Sequence, residues 1–93
     1  MTEATLYLIT VGLAGPDTDH RPHDPAAVTE LLRAHVLPDD RIQHLRVRAG
    51  PGRIDLAAFL LADNEATALL TTRELCLRAL ETGAPLDSWR LAD

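Results

Sequence analysis

The sequence predicts an α+β domain, a ferredoxin-like βαββαβ sandwich whose four-stranded antiparallel sheet carries two helices on one face. Three observations predict it. Residues Ile42 to Leu61 form two strand-like runs joined at Gly50-Pro51-Gly52. Two of the four strand-like runs, Ala4–Leu13 and Ile54–Leu61, are apolar on both faces, as strands in the middle of a sheet are. Two segments of helical periodicity separate the strands, giving the order strand, helix, strand, strand, helix, strand. Right-handed crossovers then place the first and third strands at the centre and the second and fourth at the edges.

The first strand, Ala4–Leu13, directs Leu6 and Leu8 to one side and Tyr7, Ile9, Val11 and Leu13 to the other. A polar loop, AGPDTDHRPH, follows. It exceeds the usual connection of about 4–6 residues. Asp24 is placed to cap a helix with Pro25 at its first position, where the missing N–H costs nothing. Val28, Leu31, Leu32, His35 and Val36 make one apolar stripe, and Pro38 stops the helix, so it spans Pro25–Val36.

Gly50-Pro51-Gly52-Arg53 has the composition of a type II turn, with Pro presetting the first central φ and Gly accepting the positive second one. With Gly50 opposite Arg53, Ala49 faces Ile54, Val47 faces Leu56 and Leu45 faces Ala58 on one side. On the other side Arg48 faces Asp55 as a cross-strand ion pair, Arg46 faces Ala57 and His44 faces Phe59. A one-residue slip would destroy both patterns.

Asp63 or Asn64 caps the second helix, with Ala66, Leu69, Leu70, Cys76, Leu77 and Leu80 as its expected buried residues and Leu75 at the margin. Glu74 and Arg78 are spaced for an i,i+4 pair on the wet side. Gly83 and Pro85 end that helix. Leu86–Ala92 is the final strand, with Trp89 and Leu91 on one side.

Residues 1–93 make a single domain with one core. Apolar residues at 46% and charged residues at 25% exclude a disordered chain. All nine basic residues are Arg, a bias expected of a high-GC, bacterial genome. The net charge of −5 opposes general attraction to phosphate backbones. One cysteine excludes an intrachain disulfide framework, and no signal-like or membrane-length apolar run is present. A cytoplasmic location with no membrane partner is the resulting expectation.

Motifs for chemistry are sparse. His20-x-x-His23, among Asp17, Asp19 and Asp24, has donors close enough to share a transition metal. The loop contains no Cys, however, and Asp24 is wanted as a helix cap. His35 is expected to be partly buried and hydrogen-bonded. No nucleophile elbow or phosphate-loop spacing occurs, and Cys76 lies in a helix near the buried stripe, so an enzyme is disfavoured and no cofactor is implied. Tyr7 and Phe59 stand on the central strands as the stacking aromatics of RNA-recognition domains do, but Arg53–Leu60 lacks their glycine and paired aromatics. Nucleic acid is therefore disfavoured.

The strand order, together with the loop Val11-Gly12-Leu13-Ala14-Gly15-Pro16-Asp17 after the first strand, resembles the amino-acid-sensing ACT domains. That resemblance implies a small ligand held by this loop, although the usual Asp-Arg-Pro-Gly-like turn is absent. The leading functional expectation is different: a non-enzymatic module that self-associates as a homodimer, or docks on another protein, through the sheet face left open by the helices. Tyr7, Phe59, Leu61 and Trp89 are its expected apolar contacts, and His44, Arg46 and Arg48 its polar rim. The alternative is a dimer enclosing a small molecule, either an ACT-like sensor or a cyclase- or monooxygenase-like enzyme, and the third reading is metal binding through His20 and His23.

Overall fold

A computed structural model describes residues 4–15, 23–82, 86 and 88–92. Strands β1 (Thr5–Ala14), β2 (Ile42–Gly50), β3 (Arg53–Ala62) and β4 (Arg90–Leu91) form one antiparallel sheet in the order β2-β3-β1-β4. Helix α1 (Pro25–Ala34) packs on β2, and helix α2 (Glu65–Glu81) packs on β1, β3 and β4. The two doubly apolar strands are therefore the central pair.

The hairpin register follows from its turn. Gly52 adopts a φ of 68°, the positive value that the second central residue requires. Gly50 pairs with Arg53, Ala49 with Ile54, Val47 with Leu56 and Leu45 with Ala58, while Arg48, Arg46 and His44 oppose Asp55, Ala57 and Phe59. The pairing shifts between Ile42 and His44, where Gln43 is the extra residue of a bulge. Ile42 and His44 would otherwise share a face. The bulge places Ile42 against Leu60 on the core side and leaves His44 on the other.

Strand β1 pairs with β3 along its whole length, from Thr5 opposite Ala62 to Ala14 opposite Arg53. Ile9, Val11 and Leu13 join Ala58, Leu56 and Ile54 in the buried core beneath the helices. Helix α1 begins as expected, with the Ala26 N–H donating to Asp24 Oδ1 at 3.1 Å, and buries Val28 and Leu32. It ends at Ala34, short of Val36. His35 caps it, and its Nδ1–H donates to the Leu31 carbonyl at 2.8 Å.

Helix α2 turns a different face to the sheet from the one its leucines suggest. Asn64 is the cap, its Oδ1 accepting from the Thr67 N–H at 2.8 Å. Ala68, Thr72, Leu75, Cys76 and Ala79 are buried, whereas Leu69, Leu70 and Leu77 are exposed and Leu80 only partly covered. Small side chains at i, i+4 and i+11 let the helix backbone approach the sheet closely, and the Thr72 hydroxyl is satisfied by donating to the Ala68 carbonyl at 2.9 Å.

Arg78 does not pair with Glu74. Its guanidinium donates to Asp40 Oδ2 at 2.6 Å and to the His35 carbonyl at 3.1 Å, and the same Asp40 oxygen accepts the Leu37 N–H at 2.8 Å. Asp40 is buried, so its charge needs these donors. One side chain of α2 thus holds the carbonyl of His35, the residue that caps α1, and the 3-10 turn Pro38–Asp40 that leads into β2.

The last segment is strand only at Arg90–Leu91, not over Leu86–Ala92. Ser88 has a φ of 73°, and the Trp89 N–H donates back to the Leu86 carbonyl, so the chain turns before it pairs. Trp89 is 7% exposed and packs on Gly15, where an added Cβ would stand 2.6 Å from the indole ring.

Two outcomes follow. Arg78→Ala should cost about 2 kcal/mol, the scale of charge-assisted hydrogen bonds to a buried carboxylate, read as a lower urea midpoint with unchanged slope; Glu74→Ala should leave the midpoint where it is. Gly15→Ala must displace Trp89, so it should destabilise by about 1–3 kcal/mol and shift the emission of this single tryptophan to the red.

Candidate functional site

The face of the sheet away from the helices is built by strand parity. Register puts Leu6 opposite Leu61, Leu8 opposite Phe59, Thr10 opposite Ala57 and Gly12 opposite Asp55, with His44, Arg46 and Arg48 continuing these rows on β2. The rows differ in chemistry along the strands. One end is apolar: Leu6 and Leu8 are 55% and 56% exposed, beside half-buried Phe59 and Leu61. The His44 ring lies 6.0 Å from that of Phe59 and borders this end.

The hairpin end is basic. Arg46, Arg48, Arg53, Thr10 and Asp55 surround a depression of about 700 Å³ floored by Gly12 and Ala57. Arg53 pairs with Asp55 at 3.0 Å along the strand, so the expected Arg48–Asp55 bridge across the hairpin is not formed. The two groups are largely exposed, and the pair adds little stability. Arg46 and Arg48 are left without an ion-pair partner among the described residues. Arg90, opposite Ala14, stands at the same end.

Five of the expected interface residues are therefore on one face: His44, Arg46, Arg48, Phe59 and Leu61. Tyr7 is not; it pairs with Leu60 and packs against the core under the helices. Trp89 is not either, being buried in the core, where its ring meets His23 edge-on at 5.1 Å. Leu6, Leu8, Arg53 and Thr10 are the residues the sequence reading missed. A signal for β1 existed: the odd positions from Tyr7 to Leu13 are all large and apolar, while the even ones include Thr10 and Gly12.

The other candidates fall elsewhere. His20 lies outside the described residues, and among these no group of three or more His, Cys, Asp or Glu could hold a metal. Of the two glycines in the stretch compared with ACT domains, Gly12 lies within β1 and Gly15 is covered by Trp89. His44 borders a smaller hollow of about 280 Å³ between α1 and β2, apart from the arginine-lined depression. No helix among the described residues is long and apolar enough to cross a membrane. No family model, curated protein or solved structure matches this chain.

Cys76 is fully buried in α2, and that burial pushes its thiol from 9.0 up to about 12. The folded protein should resist thiol reagents at neutral pH and label only as it unfolds, in step with a urea titration. Because the folded pKa is raised, this group's contribution to stability is complete below pH 9.0 and is lost as pH rises towards about 12. Urea midpoints of the parent and Cys76→Ala should therefore converge or cross over that range.

Proposed function

We propose that this chain is a ferredoxin-like, non-enzymatic module that pairs with a second copy of itself through the apolar end of its open sheet face. The observation that carries the reading is the exposure of Leu6 and Leu8 beside Phe59 and Leu61, on a sheet whose other face is already filled by two helices. Each such side chain taken fully out of water contributes about 1.5–3 kcal/mol. Leu6 and Leu8 are little more than half exposed and Phe59 and Leu61 already half-buried, so each supplies only part of that figure; summed over both copies, the four oppose the several kcal/mol that association costs.

A second copy suits the face better than an unrelated partner because the apolar rows are complementary to themselves about a two-fold axis. The basic rows are not: arginine would meet arginine. The copies therefore overlap at the Leu6–Leu8 end and leave the arginines at the two outer ends of the pair.

Light scattering tests this. The parent should have twice the 10.1 kDa chain mass, and Leu6→Gln/Leu8→Gln should be folded by circular dichroism and run as a single chain. The matched pair Leu70→Gln/Leu77→Gln, on the exposed side of α2, should stay paired. A monomeric parent, or dissociation caused by the α2 substitutions alone, overturns the reading.

A further inference from the structure

We propose that the depression at the hairpin end of the open face binds a small oxyanion carrying two or more negative charges, of the phosphate or polycarboxylate kind. The site consists of one chain's own residues and does not require the pairing proposed above.

The first support is charge placement. The chain carries −5 overall, yet four of its nine arginines, Arg46, Arg48, Arg53 and Arg90, stand at one end of one sheet face, where Asp55 is the one carboxylate among the described residues. A chain this acidic does not need those arginines for solubility. Alternating charges do protect an edge strand such as β2 from pairing with other chains. That role accounts for neither Arg53 on the central strand nor the hollow beside it.

Geometry is the second. Arg46 and Arg48 are two residues apart on β2, so their stems rise from the same face about 7 Å apart, within reach of one anion. Neither guanidinium group has an ion-pair partner among the described residues, and each presents a planar fork matched to a phosphate or carboxylate. Asp55, which would repel an anion, has its charge offset by Arg53 at 3.0 Å. That pairing is what frees Arg48.

The floor is the third. Gly12 lies at the floor, where a Cβ would stand 3.4 Å from both the Ala92 Cβ and Arg53 Nη2 and 3.6 Å from Asp55 Oδ1, so the absence of a side chain lets the Arg53–Asp55 pair lie close over the strand. Thr10 supplies a hydroxyl on the neighbouring row. The volume, about 700 Å³, falls within the range of small-ligand sites.

The experiment is an amide NMR titration with pyrophosphate, and separately with citrate, at ionic strength held constant with sodium chloride. Saturable shifts are expected at residues 10–12, 46–48 and 53–57. Affinity should fall about tenfold or more in Arg46→Ala/Arg48→Ala, whose side chains hold nothing in the fold, and stay unchanged in Arg73→Ala on α2. Tighter pyrophosphate assigns the site to phosphate ligands, and tighter citrate to polycarboxylates. Non-saturating shifts spread over the surface, or equal affinity in the Arg46/Arg48 variant, overturn the proposal. The Leu6→Gln/Leu8→Gln variant should bind as the parent does; loss of binding in that variant, folded by circular dichroism, overturns the assignment of the site to the hairpin-end residues of one chain.

Discussion

Because side chains alternate across a strand, one pairing decision settles the face of every residue in a sheet, and here that decision is made at the Gly50–Arg53 turn. Pro51 and the positive φ of Gly52 fix the β2–β3 register, and the β1–β3 ladder passes the same parity to the N-terminal strand. Ile54, Leu56, Ala58 and Leu60 go under the helices; Asp55, Ala57, Phe59 and Leu61 do not. The bulge at Gln43 is the single local exception. It lets Ile42 return to the core without moving His44 off the outer face.

The helical layer answers to a different demand, close approach. Helix α2 lies over the central strands and buries Ala68, Thr72, Leu75, Cys76 and Ala79 against them, with Leu75 the only large side chain of the five. Its position along the sheet is tied to α1 by Arg78, which reaches both the His35 carbonyl and Asp40. Asp40 in turn holds the start of the 3-10 turn, so the entry into β2, the edge strand carrying Arg46 and Arg48, depends on a residue of the opposite layer.

What was legible in the sequence was what local rules decide. Turn chemistry gave the hairpin register from His44 to Gly50, Asp24 marked the start of the first helix, and Asp63 or Asn64 that of the second. Non-local contacts were not legible. Leu69, Leu70 and Leu77 outrank alanine on any hydrophobicity scale, so the pattern pointed to the wrong side of α2. Arg78 had a plausible local partner in Glu74, while its actual partner is distant in sequence. A strand apolar on both faces carries weak parity information, which is why Tyr7 was placed on the outer face in place of Leu6 and Leu8. Trp89 is buried because Gly15 leaves room for its ring, a match between segments that meet only in the folded chain.

The two ends of the outer face make opposite demands, and this constrains how the face can be used. Withdrawing Leu6, Leu8, Phe59 and Leu61 from water is favourable without further conditions, whereas burying Arg46 and Arg48 without acceptors would cost several kcal/mol for each charge. A flat stack covering the whole face would incur that cost twice over. The net charge of the basic end is the same whichever arginine Asp55 takes, so a full stack is unfavourable in either case. By pairing along its own strand with Arg53, Asp55 leaves Arg46 and Arg48 without an ion-pair partner among the described residues. Which arginine Asp55 takes thus decides where the unpaired charges stand, on the edge strand β2, and not how much charge this end of the face carries.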